Sequence, residues 1–211
     1  MHRDNRSRTT RARRAAVELI LRDEQHRTAN ELSSALAALK LTVRDHGAGA
    51  LPLVDSAIER LEGFVAVRRI LANPEEHGCD IVECLRDLAI AMERGRPIPG
   101  GLVFTTSTLT VRLVPDLART VLRIAHEMLT NTMKHGSGPG EVVLSLRFTR
   151  RSVLIRCENS SRAPRETRSE GAGLRIMRAL CAERGGAFSC TRGADTFHAL
   201  ARLPRLPRPD V

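Results

Sequence analysis

From Ala12 to Asp45 the chain contains neither Pro nor Gly. A run of that length without a breaker is committed to long helix. Apolar or small residues recur at Ala29, Leu32, Leu36, Leu39 and Val43. Alternating three- and four-residue spacing of this kind is the seam of a packed helix pair or bundle. Gly47-Ala48-Gly49 breaks the run, and Pro52 follows as an early helical residue. A second pattern runs through Leu53, Ala57, Leu61, Phe64, Val65, Arg68 and Leu71 and stops at Asn73-Pro74. Two long helices joined by a short turn make a helical hairpin. Each hairpin leaves an apolar stripe uncovered, so pairing two of them into a four-helix bundle is the economical burial.

The remainder reads as an α/β sandwich. Ile81 to Met92 predicts a helix, with Ile81, Val82, Leu85, Leu88 and Ala89 on its apolar side. Gly100-Gly101 introduces two short β-rich runs, Leu102 to Thr106 and Leu109 to Val114. Pro115-Asp116 starts a further helix that reaches His135, and Gly136 to Gly140 is a loop. Val142 to Thr149 alternates and pairs as a hairpin with Arg151 to Cys157, after which Glu158-Asn159-Ser160-Ser161 opens a polar loop. Leu174 to Arg184 is a helix stopped by Gly185-Gly186, and Ala187 to Thr191 and Thr196 to Leu203 finish the sheet.

The helix ending at His135 carries the chemistry. Glu127, Asn131 and His135 fall at i, i+4 and i+8 and share one face. Leu122, Ala125, Met128, Leu129, Thr132 and Met133 cover much of the rest. A carboxylate and a carboxamide one turn apart organise a hard cation and its water, because Mg²⁺ takes oxygen ligands. Lys134 and His135 stand where they reach the phosphates such a cation carries. An ordinary helix with a polar solvent face has the same composition, so order along the chain matters. Downstream, the small-residue turn Gly171-Ala172-Gly173 opens the next helix, whose N-terminus suits an anion.

These segments resemble the core of a bacterial two-component sensor histidine kinase, with the ATP-binding fold shared with gyrase, heat-shock chaperones and MutL. Glu127 to His135 match the N-box, and Gly171 to Gly173 match the second glycine box. In the first hairpin helix, His26-Arg27-Thr28-Ala29-Asn30-Glu31-Leu32 resembles the His-Arg-x-x-Asn-x-Leu variant of the phosphoacceptor box. A neutral imidazole is a competent nucleophile at cellular pH, and Asp23, Glu24 or Glu31 is placed to orient the ring or take its proton. The order of the motifs is the family's.

The resemblance implies a helical hairpin, a four-helix bundle on dimerisation, followed by a two-layer α/β sandwich of the histidine kinase ATPase type. The expected division is a basic N-terminus at 1–11, the hairpin at 12–74, an ATPase-like domain at 75–205 and a tail at 206–211. It implies His26 as phosphoacceptor, Asn131 as the Mg²⁺ ligand and Glu127 as the acidic residue one turn earlier. It puts Lys134 and His135 near the phosphates of ATP, and Gly171 and Gly173 at the end of a mobile lid. Arg175 follows within reach of phosphate, whereas Arg178 is better read as solvated surface. Thr196 matches a hydroxyl residue on a late strand that supports adenine recognition. Asn30, at i+4 from His26, shares its face and is placed to orient water for dephosphorylation of a receiver. The implied partners are a response-regulator receiver domain and a second copy of the chain.

The first glycine box departs from the pattern. Where the family reads Asp-x-Gly-x-Gly, this chain has Asn159-Ser160-Ser161-Arg162-Ala163. A carboxamide oxygen accepts the adenine amino group without charge assistance, so the bond is weaker. Loss of both glycines stiffens the turn. An alternative therefore stands beside the kinase: an ATP-independent histidine phosphotransferase relaying phosphoryl groups between receiver domains through His26. A third class, a non-catalytic scaffold or anti-sigma-type switch on the same fold, lacks a reason for the long hairpin with its central histidine.

Composition narrows the classes further. The formal charge is +10, but Arg3, Arg6, Arg8, Arg11, Arg13 and Arg14 and the stretch from Arg202 onward supply much of it. With no Trp or Tyr and five Phe, stacking platforms for single-stranded nucleic acid are missing, so no nucleic-acid partner is expected. No apolar run approaches the ~18 residues of a membrane span and no signal-peptide pattern opens the chain, so no membrane insertion and a cytoplasmic location are expected. Cys79, Cys84, Cys157, Cys181 and Cys190 have no paired metal spacing and are expected as reduced thiols.

Overall fold

The computed structural model describes residues 51–72, 80–98, 100–135, 140–160 and 171–205, with the single positions 28, 31, 34, 35 and 37. Its elements, in chain order, are α1 (Leu51–Ala72), α2 (Ile81–Gly95), β1 (Leu102–Thr106), α3 (Pro115–His135), β2 (Val142–Phe148), β3 (Ser152–Ser160), α4 (Ala172–Glu183), β4 (Ala187–Arg192) and β5 (Thr196–Pro204). Thr28, Glu31, Ser34, Ala35 and Ala37 are also helical. His26 and Asn30 lie outside the described residues, as do the segments 1–11, 161–170 and 206–211.

The strands form one sheet in the order β1-β2-β3-β5-β4. β1 runs parallel to β2, which requires a crossover, and α3 is that crossover. The remaining pairs are antiparallel, with Leu144 opposite Cys157 and Cys157 opposite Ala199. Strict alternation sets the two faces. Val142, Leu144, Leu146, Val153, Ile155, Cys157, Asn159, Ala199, Ala201 and Leu203 are buried on the face that meets the helices. Arg156, Glu158, His198, Leu200 and Arg202 occupy the other, open face. The result is a two-layer α/β sandwich.

The expected strand at Leu109 to Val114 is not formed. Thr106, Thr108 and Thr110 satisfy one another locally: the Thr106 hydroxyl donates to the Thr108 carbonyl, and the Thr108 amide donates back to it. Thr108 repeats the motif onto the Thr110 carbonyl at 3.4 Å. Such side-chain bonds compete with a strand ladder. The segment instead runs past Asp80, where Arg112 makes an isolated antiparallel bridge and the Val111 amide reaches Asp80 Oδ1 at 3.4 Å. Asp80 simultaneously caps α2 by accepting the Val82 amide at 3.0 Å.

α3 begins at Pro115 and Asp116 as read from the sequence, and α4 ends where the Gly186 amide closes onto the Cys181 carbonyl at 2.8 Å. β3 continues three residues beyond its expected end at Cys157, because β5 pairs with it all the way to Ser160. That extension makes Asn159 a buried strand residue rather than a loop residue.

α1 packs directly on α2. Val67, Ile70 and Leu71 belong to the same core cluster as Ile81, Leu85 and Leu88. Its opposite side leaves Ile58 and Val65 exposed at 45% and 62%. Arg68 lies over the Phe64 ring, 5.3 Å from its centre, and its guanidinium donates to the Thr28 hydroxyl, tying α1 to the helical positions before it.

Candidate functional site

Glu127 and Asn131, on the face of α3 predicted to carry the chemistry, meet the start of α4. Eleven buried residues, from Leu117 to Thr132, anchor α3 on the sheet, and Glu127 is among them. Glu127 is 7% exposed, with His126 Nδ1 3.9 Å from its Oε1. A carboxylate is seldom held that deep without a reason in its surroundings.

Gly173 provides the clearest geometry. A Cβ built on it would lie 3.1 Å from Asn131 Nδ2, 3.1 Å from Asn131 Oδ1 and 3.1 Å from Glu127 Oε2. The backbone of α4 is therefore seated on the two side chains that share a face of α3. Gly171 is the N-cap of α4, exposed and without a side-chain cap, and nothing lies within 4 Å of where its Cβ would be. Glu127, Asn131, Gly171 and Gly173, far apart in sequence, are thus brought to one place. Two side-chain oxygens, Asn131 Oδ1 and Glu127 Oε2, border the same small space, a donor set that suits a hard cation also held by phosphates and water. The residues fit Mg²⁺.

Lys134 and His135 occupy the exposed last turn of α3, where positive charge also complements the helix C-terminus. Arg175 and Arg178 are on the exposed side of α4.

Asn159 reaches the site from the sheet. It is 6% exposed and lies beneath Thr132, whose hydroxyl is 3.4 Å from Asn159 Oδ1. Asn159 Nδ2 donates to the Ser160 carbonyl at 2.9 Å. Thr132 also lies 3.1 Å from the Met128 carbonyl and 3.6 Å from Cys157 Sγ. Burial pushes the Cys157 thiol up to about 11, the bond with Thr132 opposing and the Glu158 charge adding to that shift. Thr196 is exposed and opposite Ser160, one step beyond the Asn159–Phe197 pair. By strand alternation it belongs to the other face of the sheet from Asn159.

Two residues of this site were missed in the sequence. Thr132 reads as part of the apolar face of α3, yet its hydroxyl bonds to the sheet. Ser160 packs its Oγ against Gly140, 2.8 Å from where a Cβ there would stand. The signal for Thr132 is its place one residue after Asn131, which turns it from the site toward β3.

No protein-family model and no curated protein matches the chain. Solved structures do match its fold. One, a bacterial phosphotransferase, superposes with a TM-score of 0.62 at 16% identity, covering 89% of this chain and 95% of that one. The histidine kinase domain of the Erythrobacter litoralis blue-light activated histidine kinase gives 0.54 at 20% identity, over 83% of this chain and 96% of that one. The catalytic domain of the histidine kinase ThkA gives 0.50 at 17% identity, over 61% of this chain and 96% of that one. The chain therefore has the fold of a histidine kinase catalytic domain.

Proposed function

We propose that the protein is a histidine kinase of a two-component phosphorelay, using ATP to phosphorylate His26 and passing the phosphoryl group to a response-regulator Asp. The single observation that supports this most is the seating of Gly173 on Asn131 and Glu127, each 3.1 Å from its Cβ position. ATP lies between α3 and the start of α4, its base toward Asn159 and its phosphates toward Lys134, His135, Gly171 and Gly173. Asn131, with Glu127 beside it, would hold Mg²⁺, which would offset the charge of the phosphates. A ring nitrogen of His26 forms the new P–N bond as the bond from γ-phosphorus to the ADP oxygen breaks. The displaced ring proton passes to Asp23, Glu24 or Glu31. Catalysis here is chiefly positioning and charge neutralisation. Asn30 orients the water that later removes phosphate from the receiver. Thr196, exposed on the open sheet face, stands on the side away from Asn159 and takes no part in this reading. Two copies pair through their hairpins into a four-helix bundle, a reading supported by the exposed Ile58 and Val65 on α1.

A second reading, an ATP-independent histidine phosphotransferase using His26, is favoured by one feature. Asn159, a neutral carboxamide, stands where a charged acceptor would bind adenine more tightly. Incubation with γ-labelled ATP and Mg²⁺ separates the two. Label on the wild type but not on His26→Ala or Asn131→Ala is the kinase result. No label, with His26-dependent transfer from a phosphorylated receiver, is the relay result and overturns the kinase.

A further inference from the structure

Thr132 is the residue on α3 that touches Asn159, and the chemistry of their contact has a direction. Asn159 Nδ2 donates to the Ser160 carbonyl at 2.9 Å, so exchanging the two amide atoms would set two oxygens at that distance. The carboxamide is thereby held with Oδ1 toward Thr132, 3.4 Å from its hydroxyl. That hydroxyl has one proton and two oxygen acceptors, Asn159 Oδ1 and the Met128 carbonyl at 3.1 Å. Cys157, its Sγ 3.6 Å from the Thr132 hydroxyl oxygen and kept protonated by burial, is placed to donate its own S–H to that hydroxyl oxygen.

We infer that Thr132 is a positioning residue of the base pocket, holding the Asn159 carboxamide oxygen as the acceptor that selects a purine bearing an exocyclic amino group over one bearing a carbonyl there. The inference rests on the nucleotide site proposed above. Asn159 Oδ1 has two lone pairs: the Thr132 hydroxyl donates to one and leaves the other for the amino group of a base. Without the hydroxyl the oxygen loses the donor that pins it on the α3 side, and the base meets a poorly held acceptor. A purine carbonyl presented to Oδ1 meets acceptor against acceptor and gains nothing from the hydroxyl.

The test is calorimetric titration of the full chain with ADP and with GDP, each with Mg²⁺, for the wild type, Thr132→Val and Thr132→Ser. The wild type prefers ADP. Thr132→Val, close to Thr in shape, weakens ADP about tenfold and leaves GDP unchanged, so the ratio of affinities falls about tenfold. Thr132→Ser restores the ratio to within about twofold, because it restores the donor. A ratio unmoved in Thr132→Val, or unrestored by Ser, overturns the role of Thr132 and leaves the nucleotide site standing. A wild type that binds neither nucleotide overturns the site and this role together. A melting curve for each variant separates loss of the donor from loss of the fold, since a damaged fold weakens ADP and GDP alike.

Discussion

Gly63 of α1 stands so close to α2 that a methyl group added to it would lie 2.7 Å from the Ala91 carbonyl oxygen and 2.7 Å from the Gly95 amide nitrogen. Both neighbours are backbone, so neither helix can yield by moving a side chain. The Gly63→Ala substitution forces the helices apart and costs about 1–3 kcal/mol, despite the better helix propensity of Ala. Urea unfolding monitored by circular dichroism checks this: the midpoint falls while the slope stays constant.

Gly173→Ala behaves differently. Its Cβ would meet the ends of Asn131 and Glu127 at 3.1 Å, and these are side chains that can turn aside. The melting temperature therefore stays within a few degrees, while Mg²⁺-ATP affinity falls at least about tenfold, roughly 1.4 kcal/mol. Binding unchanged alongside an unchanged melt means that the Asn131–Glu127 space is not where phosphate and cation are held.

The exposed apolar residues of α1 give a third expectation. Val65→Glu and Ile58→Glu leave the circular dichroism spectrum of the chain unchanged, since both side chains are open to solvent. Each lowers the mass measured by light scattering from that of a dimer to that of a monomer. Retention of the dimer by both variants would place the contact between copies elsewhere.

Buried thiols make stability fall as the solution turns alkaline. Burial raises Cys157 to about 11 and Cys181 to about 12, against 9.0 for an ordinary thiol. The folded state keeps these protons while the unfolded state loses them. Stability is thus fully present below about pH 9 and declines as pH rises toward the folded values. Thermal melts between pH 8 and about pH 11 should show that fall, and Cys157→Ala with Cys181→Ala should flatten it. In a Cys79→Ser background, Cys190, half-buried on β4, reacts first with a thiol reagent, whereas Cys84, Cys157 and Cys181 react on unfolding.

The α/β architecture was legible because its signals are local. Period-two alternation in Val142 to Phe148 and the Pro115-Asp116 start of α3 each specify an element without help from the rest of the chain. That Asn131 and Glu127 share a face of α3 was legible for the same reason, the two being one helical turn apart. Leu109 to Val114 misled, since β-rich composition does not reveal that the Thr106 and Thr108 hydroxyls will bond to backbone two residues on or that Asp80 will take the Val111 amide. Asn159 was identified by position but not as a buried strand residue, because the pairing that extends β3 depends on β5, which arrives thirty-six residues later. Thr132 was hidden by its type: a threonine among apolar residues reads as filler until the atom opposite its hydroxyl is known. The seating of Gly173 on α3 is a meeting of distant segments that no spacing rule reports.

The sharing of one apolar interior by α1 and the sheet-bearing lobe has a practical corollary. A fragment starting after Pro74 would lack Val67, Ile70 and Leu71, leaving the flank of α2 that they close bare to water. Such a piece is expected to self-associate, so dissecting this protein at that junction would yield a sticky remnant in place of an autonomous lobe.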